Sequence, residues 1–372
     1  MSVKIGKIQG IDIELNYSWF LIFFIIASGL ANIDLPRQYP DKSSDFYWLI
    51  GVISALSLNV SVLVHELAHS ILARRKGLSI KNITLHFFGG VSYIDEESID
   101  PKTEAYVSAV GPLSSLVIGI VLLTVNYSLG AETPDSLEAI FRYVGYVNVS
   151  LAVFNLIPAL PMDGGRLLRA VIWSRNGNYL RATRSISSVS KGISIVFMVL
   201  GIFTILSFGS QNGIWLVLIG IFINNGSKDS LSQTIISEAL GGMTVREIMT
   251  KEVQTVEPDV SVQRIIDEDF SVYKHQGYPV LEDGELVGVI TNEDVRKVRD
   301  EERDSTAVRD VMIKRDQLIT VSPDEKASDA LMLMATRDVG RLLVIDDDNL
   351  VGIITRSDIN RTIKMKTELN HG

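Results

Sequence analysis

Apolar runs constrain this chain more than any other feature of its sequence, at residues 17–31, 46–73, 105–129, 139–160, 190–208 and 213–224. Roughly 20 mainly apolar residues are needed for a helix to cross a bilayer, so the first run is marginal and the sixth is short. Six spans are the expectation, with five as the alternative count. An unpaired backbone group in lipid costs several kcal/mol, which leaves helices and closed barrels as the only ways across, and continuous runs of this length select helices. A hydrophobic content of 47% and a mean hydropathy of +0.24 agree, both being high for a water-soluble chain.

The apolar excess stops near residue 240. Up to that point basic and acidic residues balance at 17 each, and beyond it 27 acidic residues face 18 basic ones, which accounts for the whole net charge of −9. A membrane part is therefore expected to precede a charged, water-soluble α/β part. A cleaved leader is not expected, because the first apolar run begins only at Tyr17, after an alternating segment. With no cysteine, disulfides and thiolate metal sites are excluded, and histidine and carboxylate remain as the strong ligands.

Basic residues set the orientation, since Lys and Arg collect on the cytoplasmic side. Lys4 and Lys7 precede the first run, Arg74, Arg75 and Lys76 follow the second, and Arg166, Arg169, Arg175, Arg181 and Arg184 lie between the fourth and fifth. All three clusters fall on one face, so both termini and the soluble tail are expected in the cytosol of a multi-pass cell-membrane protein. Segments 4–15 and 80–94 alternate instead, around Gln9-Gly10 and Gly89-Gly90, and read as β-hairpins that must pair with each other rather than expose edges to lipid.

The second run holds His65-Glu66-Leu67-Ala68-His69. On a helix the two imidazoles lie one turn apart on the same face, where both can bind one zinc ion, with Glu66 beside them. The pattern arises by chance in on the order of one chain in a hundred of this length. A blander reading makes the histidines hydrogen-bonded core residues. Three ionisable groups in one turn of a membrane helix are costly, however, and such clusters usually mark function. Catalytic zinc takes a third protein ligand, and Asp163 is the best candidate, in Asn155-Leu156-Ile157-Pro158-Ala159-Leu160-Pro161-Met162-Asp163-Gly164-Gly165 at the cytoplasmic end of the fourth run. Prolines break the helix there and glycines permit close approach. Taken alone, Asp163 would read as a helix cap.

These motifs, together with Gly89-Gly90 and Gly111-Pro112, resemble the site-2 protease family of intramembrane zinc metalloproteases, over most of residues 1–225 and in the family's order. The resemblance implies one Zn2+ held by His65, His69 and Asp163, with Glu66 as general base. It places Asn155 near the metal as a catalytic residue for substrate or oxyanion, and Gly89-Gly90 as a substrate clamp that adds a strand. Family members often carry His-Pro near the start of the first span, where this chain has Asn16-Tyr17-Ser18, a departure that touches no ligand. The other histidines, His86, His275 and His371, read as surface or hairpin residues.

Past residue 243 the chain repeats itself at an offset of 64. Residues 279–294 match 343–358 at 8 of 16 positions without gaps, and each copy closes on Gly-x-Ile-Thr-x-x-Asp. This tail resembles a tandem pair of cystathionine-β-synthase (CBS) domains. Such pairs commonly bind adenine nucleotides, which by carry-over would involve Thr291, Asp294, Thr355 and Asp358. Capping of the following helices explains the same residues equally well. Leu343 stands where the first copy has Pro279, so the two clefts need not be equivalent.

The expected architecture is an α-helical polytopic membrane domain with β-hairpin elements (1–225), a linker (226–242) and a cytosolic α/β tandem CBS pair (243–300 and 308–366, joined by 301–307). The expected activity is hydrolysis of peptide bonds in or near transmembrane segments of membrane-protein substrates, regulated by adenine nucleotide. Expected partners are that substrate, the lipid bilayer and, through the CBS domains, a second copy, with no nucleic acid. Competing classes are a CBS-regulated transporter or channel, which would spread polar residues along several spans, and a non-catalytic client-binding homologue, which would show a damaged ligand set.

Overall fold

A computed structural model describes residues 2–78, 80–86, 89–94, 100–130, 134–209, 212–270 and 277–369. His275 and His371 lie outside them. The chain divides into two compact units, Met1–Thr234 and Ile235–Gly372.

Among the described residues the long helices are α1 (Tyr17–Gly29), α2 (Ser44–Arg75), α3 (Pro101–Leu129), α4 (Asp135–Asn155), α5 (Asp163–Asn176), α6 (Tyr179–Phe208) and α7 (Asn212–Leu240), the first six and most of the seventh in the first unit. Side chains start four of them: Asn16 accepts the Ser18 amide, Ser43 that of Phe46, Asp100 those of Lys102 and Thr103, and Asn178 that of Arg181. Asn16 is thus the cap of α1. Small and polar residues fill the inner faces, among them Ser54, Ala55, Ser61 and Ala73 of α2 and Ser108, Gly111, Ser115 and Gly119 of α3. Large apolar side chains such as Phe20, Phe24, Ile120, Leu206 and Trp215 point outward. Lipid removes the hydrophobic drive for helices to associate, so close backbone approach takes over: a Cβ on Gly119 would lie 2.9 Å from the Gly145 carbonyl.

Among the described residues five helices are long and apolar enough to cross a membrane: Tyr17–Gln38, in which α1 continues through a π-helical turn, then α2, α3, α4 and α6. The expected sixth span belongs to α7. Its apolar stretch ends at Asn224-Asn225 and charged residues follow at Lys228 and Asp229, so the helix fails on composition rather than length. The fourth expected run also ends sooner than its apolar residues do, because α4 stops at Asn155 and 156–162 form turns around Pro158 and Pro161.

The two alternating segments join into one sheet, ordered β1 (Ser2–Ile8), β2 (Ile11–Asn16), β3 (Ile80–His86), β4 (Gly89–Ile94), with β2 and β3 parallel and the other pairs antiparallel. Strand pairing between the two segments is as expected. Gly89 and Gly90 do not form the turn: they open β4, opposite His86 and Leu85. Ile11, Ile13, Ile83 and Leu85 form a core with Ala73 at the end of α2, Leu78 just beyond it and Val107 of α3, and Arg74 donates to the Gln9 carbonyl.

The second unit shows the repeat directly. Strands β5 (Gly277–Glu282) and β6 (Glu285–Thr291) match β9 (Arg341–Asp346) and β10 (Asn349–Thr355) residue for residue at the offset of 64. Both hairpins bulge at the same place, skipping Val287 and Val351. The two sheets exchange edges. β7 (Ile313–Lys314), which precedes the second copy's β8 (Thr320–Val321), pairs with β6 of the first, and Thr250, near the start of the first copy, bridges Ile353 of the second. Gly288 and Gly352 admit the sulfurs of Met312 and Met249, each 2.7 Å from where a Cβ would sit. Gly226 lies inside α7, which continues without a break from Asn212 to Leu240.

Candidate metal centre

Two elements meet at the site. His65 and His69 lie one turn apart on the inner face of α2, 4% and 5% exposed, and Asp163 opens α5 at 8% exposure. Asp163 Oδ2 lies 3.2 Å from the Nε2 of each histidine, and the two Nε2 atoms are 3.2 Å apart. Among the described residues these three form the group of His and carboxylate side chains able to hold a metal ion.

Their other atoms define what fits between them. His69 Nδ1 lies 2.5 Å from the Val107 carbonyl, which only accepts, so Nδ1 carries a proton and the neutral imidazole turns a bare Nε2 toward Asp163. His65 Nδ1 lies 2.9 Å from the Ser115 hydroxyl. Outer partners of this kind set the tautomer and ring orientation of metal-binding histidines. Electron pairs converging on one point repel unless a cation lies among them. Tetrahedral zinc bonds of about 2.0–2.1 Å would place ligand atoms about 3.3 Å apart, close to the spacing seen here. The donor set fits zinc.

Glu66, half-buried, is the next residue of α2 after His65 and leaves the helix about 100° further round. Asn155 ends α4, half-buried, with its amide donating to the Leu151 carbonyl at 3.0 Å, and is not part of the converging group. Gly89 and Gly90 lie on β4, an edge strand of the sheet. Thr291, Asp294, Thr355 and Asp358 belong to the second unit and form two capping boxes. Thr291 Oγ1 accepts the Asp294 amide at 3.3 Å and donates to Asp294 Oδ2 at 2.5 Å, and Thr355 and Asp358 repeat this at 3.2 and 2.7 Å.

Of α3, Gly111 belongs to the sequence motifs, whereas Glu104, Val107, Ser108 and Ser115 were missed. Glu104, Ser108, Gly111 and Ser115 form one buried stripe at helical spacing. Ser115 and the Val107 carbonyl orient the histidines, while Gly111 leaves room above them: a Cβ there would lie 2.1 Å from His69 Nε2 and 2.7 Å from His65 Nε2. The signal was available as a polar and small i, i+4, i+7, i+11 pattern inside an apolar run. Gly111→Ala is therefore expected to lose most bound zinc while retaining helical content, read by metal analysis and circular dichroism of the purified protein. Retention of a full equivalent would mean that the site tolerates the methyl group.

Known proteins match along the whole chain. The model of peptidase family M50 matches residues 53–137 and 127–201, and that of the CBS domain matches 245–301 and 308–364. Zinc metalloprotease MJ0392 of Methanocaldococcus jannaschii is 32% identical over 372 residues, covering 99% of this chain and 98% of that protein. Rip3 of Mycobacterium tuberculosis, also named as a zinc metalloprotease, is 31% identical over 365 residues, 97% and 93% of the two chains. The solved site-2 protease from Methanocaldococcus jannaschii is 31% identical and covers 62% of this chain and 94% of its own, at a TM-score of 0.43. With near-complete coverage at this identity and the two domain matches in sequence, the chain belongs to peptidase family M50, the site-2 protease family of membrane zinc metalloproteases, in its form with a C-terminal CBS pair.

Proposed function

We propose that this enzyme hydrolyses peptide bonds in or beside transmembrane segments of membrane-protein substrates, with His65, His69 and Asp163 holding zinc and Glu66 as general base. The observation that carries the reading is the convergence of three buried donor atoms within 3.2 Å of one another, on helices whose outer faces are apolar. Zinc, when bound, polarises the scissile carbonyl and lowers the pKa of water at the site towards about 7. Glu66 takes the proton of the attacking water and delivers it to the leaving amine. Asn155 serves the substrate or the developing oxyanion from the end of α4. Substrate in extended form adds along β4, where the small Gly89 and Gly90 let its backbone come close.

The test is a zinc determination paired with cleavage of a membrane-anchored model substrate in proteoliposomes. About one zinc per chain is expected in the wild type. His65→Ala, His69→Ala and Asp163→Ala are each expected to lose it together with cleavage. Full zinc in folded forms of all three would place the metal elsewhere.

The same reading places both termini and the CBS pair in the cytosol, with the pair sensing adenine nucleotide, altering access to the zinc site and joining two copies of the chain. The basic clusters on one face support the orientation. Arg341, at the repeat position matching Gly277, brings a cation beside Thr291: it donates to the Gly277 carbonyl at 3.1 Å, and its guanidinium lies beside the same Gly277 position as the Thr291 methyl group. A ligand alters activity only through unequal affinity for two arrangements of the protein. Asp294→Ala and Asp358→Ala are expected to weaken adenine nucleotide binding to the full-length protein, measured by calorimetry. No binding to wild type at millimolar nucleotide would leave the pair a structural or dimerising role.

A further inference from the structure

We infer that Ser190 and Gly226, on the last two helices of the membrane unit, are positioning residues of the metal centre, because they hold the loop that presents Asp163. This rests on Asp163 being a zinc ligand. Asp163 is reached through residues 156–162, which form turns and make neither a continuous helix nor a strand. Such a segment cannot by itself hold its last residue to a fraction of an ångström, and its backbone must be tied to rigid neighbours.

Two ties are present. The Leu160 amide donates to Ser190 Oγ at 2.8 Å, and the Ser190 hydroxyl in turn donates to the Ile186 carbonyl of α6 at 2.8 Å. Leu160 is 1% exposed and Ser190 is fully buried, so no water competes for this bond. The second tie is steric. Pro161 packs on the bare backbone of Gly226 in α7, where a Cβ would lie 2.7 and 2.8 Å from the ring carbons Cγ and Cδ. A proline ring cannot swing aside as a long side chain would. Around this contact Ile223 packs on Ala159 and Met162, all three buried. α6 and α7 thus orient the carboxylate as the Val107 carbonyl and Ser115 orient the histidines.

Neither residue is expected to touch zinc or substrate, so the test reads the metal. Full-length protein in detergent is titrated with zinc against a chromophoric chelator, and the visible spectrum of its cobalt-substituted form is recorded. Ser190→Ala and Gly226→Ala are each expected to weaken zinc binding by about ten- to a hundred-fold, the usual effect of losing an outer partner, and to shift the cobalt bands. Ser190→Thr, which keeps the hydroxyl, restores both. Ser194→Ala removes another fully buried hydroxyl one turn along α6, bonded to the Lys191 carbonyl, and is expected to change neither. Wild-type affinity and spectrum in both Ser190→Ala and Gly226→Ala would overturn the inference, as would an equal loss in Ser194→Ala. If Ser190→Ala does not fold, Gly226→Ala decides. Retention of zinc by Asp163→Ala would instead overturn the ligand reading beneath it.

Discussion

Glu66→Gln is expected to keep about one zinc per chain and to lower the rate of substrate cleavage by about 10²- to 10⁴-fold. The substitution preserves the size and polarity of the side chain and leaves His65, His69 and Asp163 in place, so neither the fold nor the ligand set gives a reason for zinc to leave. What disappears is a group able to accept a proton from water. Substrate binding should persist, which would make this variant a trap for natural substrates. Single-turnover cleavage, zinc analysis and crosslinking to a membrane-anchored substrate together decide the point. Cleavage at the wild-type rate would remove Glu66 from the chemistry and require another base.

Arg169→Leu is expected to destabilise the membrane unit by about 3–5 kcal/mol, because it leaves a buried carboxylate without its partner. Arg169 on α5 and Glu104 on α3 are 4% and 2% exposed, and both Nε and Nη2 of the guanidinium donate to Glu104 Oε1, the Nε bond at 2.8 Å. The guanidinium also lies over the Tyr179 ring, 4.7 Å from its centre. The pair fastens the helix that begins with Asp163 to the helix that supplies Gly111 and Ser115. Zinc affinity should therefore fall along with stability. The double variant Glu104→Leu/Arg169→Leu is expected to recover much of the loss, since it strands no charge. Unfolding of the three proteins in detergent, followed by circular dichroism, gives the comparison. A cost for Arg169→Leu below about 1 kcal/mol would mean that the pair is effectively solvated.

The residues that meet at the site were legible because their chemistry is costly where they stand. Two histidines and a glutamate in one turn of an apolar helix, and an acid beside a proline-broken helix end, stand out against their surroundings, and the i, i+4 spacing alone implies that the two imidazoles share a face. The repeat at 64 was legible for a related reason: two copies that build the same hairpin keep the same turns, bulges and caps. Ser115, Val107, Ser190 and Gly226 were silent. A serine on an apolar helix, a backbone carbonyl and a glycine look alike whether or not they face a metal ligand, and their meaning depends on which helix lies opposite.

By itself the sequence determined the membrane and soluble parts, the membrane crossings to within one, the pairing of the two alternating segments and the candidate ligand set. Each of these follows from local pattern: apolar length, alternation and residue type at a fixed spacing. Tertiary structure alone decided that one unbroken helix carries the sixth run on to Leu240, that Gly89 and Gly90 open a strand rather than turn it, and that the CBS sheets exchange their edges. It also decided that Asp163 reaches within 3.2 Å of two histidines 98 and 94 positions away in the chain. Such distances depend on helix packing, and in lipid that packing follows from where small residues on one helix let another come close, a property of pairs of helices that no single stretch of sequence carries.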